Sequence, residues 1–324
     1  MTERHHYLPQ FIFRGFSPDG ASVGALHLKS GARISHAGIK TQCAKADFYG
    51  ESSLVDDCLT LMETEVARMV QAFPHFEPRW SRVLSVFVHT QFARTLAAAA
   101  RLEQLEEIVG TSESREIGSP QLLALHHAFL NAEVLSDLEV RILRAPQGTA
   151  FVIGDDPVVC SNQFAQLHPR FRHLESFTGL AQKGLQVFLP VSSEFTIALF
   201  DPTTYAYPAQ RTCTLNHDDV WQLNALQAMH AQHSLYFRFG ETTREHLLRL
   251  REIHLSSSGW RAPSATARVA RLGALESRSP RLAHCFDFAQ LIAPADSSAD
   301  LIDERKYEDW FHHMVPLRRV TSPS

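Results

Sequence analysis

Paired cysteines, phosphate-cradling glycine loops, long apolar runs and a strong net charge are all missing from this chain of 324 residues. The five cysteines (Cys43, Cys58, Cys160, Cys213 and Cys285) stand singly. With no Cys-x-x-Cys pair, neither a zinc ribbon nor a disulfide-dense secreted scaffold is expected, and a reducing cytoplasm is the simplest location. No Gly-x-Ser-x-Gly elbow, Walker loop or Gly-x-Gly-x-x-Gly occurs, which removes motif support for serine hydrolases, nucleoside triphosphatases and nicotinamide enzymes. The most apolar stretches, such as VLSVFVHTQFA, are broken by polar residues well short of the ~20 residues a membrane helix needs. The opening Met-Thr-Glu-Arg-His-His lacks the apolar run of a signal peptide, so a cytoplasmic protein with no membrane partner is expected. A formal net charge of -4 supplies no global field for nucleic acid; any polyanion would need a local basic patch.

What is present describes a globular protein. Hydrophobic residues make up 44% and charged residues 20%, enough to bury a sizeable core. The 18 histidines are numerous but dispersed. VGALHLKSGARISHAG alternates around a Ser-Gly break like a hairpin. Residues 53–73 place Leu54, Cys58, Leu61, Met62, Val66, Met69, Val70 and Phe73 along a helical stripe, with Ser53 as N-cap. A second helix is predicted from near Pro78 to Gly110, and a third from Pro120. From Leu138 the period shortens: LEVRILRA, TAFVIG, LQVFLPV and FTIALF read as strands, HDDVWQLNALQAMHAQHS as a helix and LYFRF as a returning strand. NQFAQLHPRFRHLESFTGLAQKG lies between strands as a long irregular segment.

Helices first and strands clustered later argue for an α+β fold, with long helices of the N-terminal half packed against a small, mainly antiparallel sheet. The main domain is expected over residues 1–255. Residues 256–324, richer in Ser, Ala and Arg, read as a partly irregular C-terminal extension holding one short helix.

Two stretches carry candidate chemistry. In RHHYLPQFIFRGF, Pro9 suits the first turn of a helix and biases Leu8 toward extended backbone. His6 then sits just ahead of that helix, Gln10 and Arg14 share one face, and Phe11 points to the core. The three polar residues read either as a cluster able to hold a metal, an anion or a reacting oxygen, or as a clamp hydrogen-bonded into the domain. In FVIGDDPVVCSN, Asp155 and Asp156 emerge at a strand end, a position that serves metal ligands and general bases as well as ordinary Asp-Pro turns. Adjacent pairs His126-His127 and His312-His313 point about 100° apart on a helix and cannot share a metal; His230 and His233 fit a surface helix better than a ligand pair.

HHYLPQFIFRGF, ADFYG, METEVA, TQFART, FVIGDDPVV, FLPVSS and VWQLNALQAMHA together resemble, in order, blocks of the bacterial family described as domain of unknown function 4238. The resemblance spans roughly residues 5–238. It implies His6, Pro9, Gln10, Arg14, Tyr49, Glu63, Gln91, Arg94, Asp155, Pro157 and Asn224 as family-like positions. Phe13 departs from an aliphatic position, and Gly154-Asp155-Asp156 replaces a Ser-Asp-Asn turn, so Asp155 is kept as the critical carboxylate and Asp156 set aside.

This inventory suits a divalent metal flanked by phosphate-binding arginines, as in a metal-dependent phosphodiesterase or nuclease. On that reading His6, Glu63 and Asp155 are catalytic or ligate the metal. Gln10, Arg14, Tyr49, Gln91, Arg94 and Asn224 then bind a phosphate-containing ligand or nucleic acid. No Pro-Asp followed by Asp/Glu-x-Lys supports it. The alternative is a non-catalytic binding or accessory protein in which the same His/Gln/Arg/Asp set is a structural network.

Overall fold

The computed structural model describes residues 4–46, 48–49, 53–163, 179–257 and 286–291. Its helices are α1 (Gln10–Gly15), α2 (Ser53–Gln71), α3 (Trp80–Ala93), α4 (Leu96–Val109), α5 (Glu113–Ile117), α6 (Pro120–Leu130), α7 (His217–His230) and α8 (Arg244–Ser257). As expected, the fold is α+β, and six of these helices lie before the main run of strands.

Four short strands form one antiparallel sheet. Its order is β3 (Arg33–Gly38), β2 (Ser22–His27), β12 (Ser234–Phe237) and β6 (Ile153–Gly154). A second, five-stranded sheet runs β11 (Thr212–Thr214), β5 (Glu139–Arg144), β9 (Phe195–Phe200), β8 (Gln186–Pro190) and β7 (Val159–Ser161), antiparallel except for β11 beside β5. Every residue of β8 and β9 is buried, so this sheet is covered on both faces and its strands read as continuous apolar runs. Two small ribbons complete the strands: β1 (Arg4–His6) with β4 (Ala44–Ala46), and β10 (Tyr205–Ala206) with β13 (Gln290–Leu291).

The caps follow the sequence. Ser119 accepts from the Leu122 amide ahead of Pro120, Asn216 from the Asp219 amide, and Gly110 closes α4 at φ +76°. Pro9 sits immediately before α1, whose inward face is Ile12 and Phe13.

Two helices differ from their expected form. The long helix from Pro78 to Gly110 is broken at Arg94-Thr95. Thr95 turns extended (φ -95°, ψ 160°) and its hydroxyl accepts from the Ala98 amide, restarting the chain as α4. In α2, Leu54 and Leu61 are 69% and 73% exposed, while Leu59, Val66 and Met69 are buried. Val66, Met69 and Phe73 of the expected stripe are buried and Met62 and Val70 pack against the core, but in the first half of the helix Leu59 faces inward in place of Leu54, Cys58 and Leu61, with the half-buried Glu63 one turn after it.

The chain beyond residue 255 also reaches the core. Phe286 and Phe288 pack edge-on against Phe188, with ring centroids 5.3 and 6.4 Å away, and Phe288 meets Tyr207 at 5.2 Å. The Asp287 carboxylate accepts from Asn216 Nδ2 at 2.6 Å, and its amide donates to Asp219 at 2.9 Å. The short helix expected near the C-terminus lies outside the described residues.

Candidate functional site

The break after α3 turns the side chain of Arg94 inward. It is only 3% exposed. Nε donates to the Tyr49 hydroxyl at 3.2 Å, Nη1 to Glu63 Oε1 at 2.5 Å and Nη2 to the His6 carbonyl at 2.5 Å. One turn earlier, the fully buried Gln91 donates through Nε2 to the Tyr7 carbonyl at 2.9 Å. Gln91 of α3 and Arg94 at its C-terminal end therefore fasten β1 and the approach to α1 to the helical layer. Tyr49 is itself positioned by His5: its amide donates to His5 Nδ1 at 3.4 Å and the rings lie 5.4 Å apart. His5 Nε2 faces Asp56 at 2.8 Å, so the imidazole joins the N-terminus of α2 to the ribbon.

The Asp155-Asp156 turn divides its two carboxylates. Asp155 accepts from the amides of Gln232 at 2.7 Å and His233 at 2.9 Å, closing the turn between α7 and β12. Burial pushes its carboxyl up to about 6 against these two bonds. Asp156 looks the other way, accepting from the Thr95 hydroxyl at 2.8 Å and Arg101 Nη1 at 2.8 Å. Behind the turn, Asn224 and Gln227, i and i+3 on α7, pair with the strand's backbone. Asn224 bonds the Val152 amide and Ala150 carbonyl, each at 2.9 Å; Gln227 bonds the Gly154 amide at 2.9 Å and Pro157 carbonyl at 2.8 Å. Gly154 permits that closeness, because a Cβ there would lie 2.9 Å from Ala231 Cβ.

Residues 4–240 match the family described as protein of unknown function, DUF4238. The chain belongs to that family. No curated protein and no solved structure matches it. Within the DUF4238 segment, the residues expected to act together separate into three places. Tyr49, Glu63, Gln91, Arg94 and the His6 backbone converge. Asp155 and Asn224 serve the α7 side of the strand. Gln10 and Arg14 pair with each other at 3.2 Å, with Arg14 exposed, so this part of the opening motif faces outward rather than into a shared cluster.

The His6 ring, half-buried, lies 3.2 Å from the Gln42 carbonyl through Nδ1. Among the described residues, no group of three or more His, Cys, Asp or Glu side chains is arranged to hold a metal ion. The proposed set of His6, Glu63 and Asp155 does not form one, because Glu63 faces Arg94 while Asp155 faces the backbone of residues 232–233. Among the described residues no helix is long and apolar enough to cross a membrane.

Sequence reasoning passed over His5, Thr95, Arg101 and Gln227, and set Asp156 aside. The signal for Asp156 and Gln227 was available: a second carboxylate in the turn, and an amide three residues after Asn224. Pairing of His5 with Asp56 is a tertiary contact without a local pattern. Cys43 is a further case, held at φ +47° with its thiol 3.4 Å from the Tyr236 hydroxyl. Burial, with the charge of Asp155 nearby, pushes this thiol up to about 12, so it is no thiolate nucleophile at neutral pH.

Proposed function

We propose that this DUF4238 protein is a non-catalytic binding or accessory protein. In it the His/Gln/Arg/Asp set is a structural network, and a metal-dependent phosphodiesterase or nuclease is the reading set aside. The observation that carries this is the state of Arg94. Each arm of its buried guanidinium is already spent on an internal acceptor, with Glu63 neutralising its charge. A phosphate would have to displace Glu63, and a metal bound by Glu63 would strip a buried arginine of its counter-charge, which costs several kcal/mol. Asp155 is engaged in the same way, both of its oxygens satisfying amides that burial would otherwise leave without water.

The test is hydrolysis of bis(p-nitrophenyl) phosphate and of single-stranded RNA by the full chain in Mg2+ and Mn2+. No turnover above buffer is expected. Turnover that disappears in Glu63→Gln, with the fold intact by circular dichroism, would restore the hydrolase reading.

A further inference from the structure

Residues 286–291 lie outside the family match of residues 4–240, whereas the groups that receive them lie inside it. Those groups are Phe188 on β8, Tyr207 just after β10, and Asn216 and Asp219 at the start of α7. Together they form a slot for three consecutive residues, Phe286, Asp287 and Phe288.

The walls of the slot are held by the matched domain itself. The Tyr207 ring stacks on Phe200 at 3.6 Å with an interplanar angle of 5°, and its hydroxyl accepts from Gln186 Nε2 at 2.9 Å. Asn216 caps α7 through its side-chain oxygen, which accepts from the Asp219 amide at 2.7 Å, and its Nδ2 is left to donate outward. Phe188 belongs to a buried strand paired on both sides, with β7 and β9. Groups fixed in this way beforehand lower the ordering cost of binding.

The segment answers these groups one by one. Phe286 and Phe288 stack on each other at 4.8 Å and 27°, and both meet Phe188. A turn brings the two rings together, closed by the Ala289 amide donating to the Phe286 carbonyl at 3.1 Å. The turn presents the Asp287 amide to the Asp219 carboxylate at 2.9 Å, and the Phe288 amide to the same group. Asp219 is 2% exposed, and among the described residues no other group donates to its carboxylate, so the segment alone satisfies it. Past the turn, β13 pairs antiparallel with β10, Tyr205 opposite Leu291 and Ala206 opposite Gln290. Main-chain pairing beside side-chain pockets is how domains recognise short peptides.

We propose that this slot is a peptide-recognition site for a Phe-Asp-Phe turn, and that residues 286–291 are its intramolecular ligand, held in cis and released as a unit. The segment is then a strap that keeps the slot closed. The slot shares no side chain with the Arg94 network, so the proposal stands whatever that network does.

The experiment compares the wild-type full chain with the full chain carrying Phe286→Ala and Phe288→Ala, which removes both rings from the slot. The probe is a fluorescein-labelled peptide of residues 284–292 with Cys285→Ser, followed by fluorescence polarisation. Saturable binding at one site is expected for the variant. The wild type should bind at least about 10-fold more weakly, because a tethered ligand competes at an effective concentration on the order of millimolar. A peptide carrying Phe288→Ala should bind the variant at least about 10-fold more weakly than the parent peptide, the scale of losing one buried aromatic ring. Light scattering should give the wild type and the variant the same mass.

No saturable binding by a variant that circular dichroism shows to be folded overturns the recognition site and makes the segment a fixed part of the core. Equal binding by wild type and variant overturns the closed slot. A wild-type dimer that the variant lacks overturns the cis assignment in favour of exchange between copies. A Phe288→Ala peptide that binds as well as the parent overturns the slot itself. If the double variant does not fold, Phe288→Ala alone replaces it with the same expectations; if neither folds, the segment is integral to the core and the proposal fails.

Discussion

Replacing Arg94 by lysine retains the charge and removes the geometry, which isolates what the guanidinium contributes. A lysine ammonium reaching Glu63 has all its donors on one atom and cannot also span the Tyr49 hydroxyl and the His6 carbonyl. Both are then left in a region where Arg94 itself is almost completely buried. Each stranded buried group costs roughly 1–3 kcal/mol, so the substitution is worth about 3–5 kcal/mol, the range found when a buried ion pair is disrupted. For a core of this size each kcal/mol moves Tm by about 2–4 °C, which predicts a fall on the order of 10 °C. Differential scanning calorimetry of wild type, Arg94→Lys and Glu63→Gln would measure it. Glu63→Gln should fall by a comparable amount, because the amide oxygen still accepts from Arg94 but leaves its buried guanidinium without a counter-charge. A fall of under about 2 °C for Arg94→Lys would refute the assignment of Arg94 as the fastener of β1 to α3.

Three further outcomes are expected. Asp155 has a carboxyl raised in the folded state, so the folded protein holds its proton more tightly than the unfolded chain; its contribution is largest below pH 4 and is lost as pH rises through about 6. Urea denaturation from pH 4 to 7 should therefore show a downward component that is absent in Asp155→Asn, and an unchanged slope would contradict it. Gly154→Ala should cost roughly 1–3 kcal/mol by driving a methyl against Ala231, and Ala231→Gly should recover part of the loss in the same urea assay; no recovery would show that the close approach to α7 is not the cause. Phe288→Ala should cost about 3 kcal/mol, measured by chemical denaturation, because its ring packs on Phe188 and Tyr207; a neutral effect would mean that residues 286–291 add nothing to the core.

Period and punctuation made much of the fold legible. The strand runs LQVFLPV and FTIALF became the fully buried β8 and β9, and Pro9 and Pro120 mark helix starts. Less legible was the break at Arg94-Thr95, since TQFARTLAAAA reads as uninterrupted helix. What stops it is a threonine that caps α4 and also donates to Asp156, a residue sixty-one positions away. Burial of the first half of α2 was misread for a similar reason: Leu54, Cys58 and Leu61 are exposed and Leu59 is buried, whereas Val66 and Met69 lie inside as expected. The chosen face is the one that brings Glu63 to Arg94. The family-like positions identified residues with tertiary partners, but not which partners. Amides such as Gln91 and Asn224 look like ligand contacts in a sequence, whereas here they satisfy backbone groups at Tyr7, Ala150 and Val152.

The central claim is that Glu63, Arg94, Asp155 and the opening motif form a framework rather than a metal centre. Thermal-shift titration of the full chain with Mg2+, Mn2+ and Zn2+, run beside His6→Ala and Glu63→Ala, tests it most directly. At one hundred times its dissociation constant a metal bound only to the folded state adds about 2.7 kcal/mol, a shift of several degrees. The framework predicts no metal-dependent shift that either variant removes. A saturable rise in Tm that is present in wild type and lost in both His6→Ala and Glu63→Ala would contradict it.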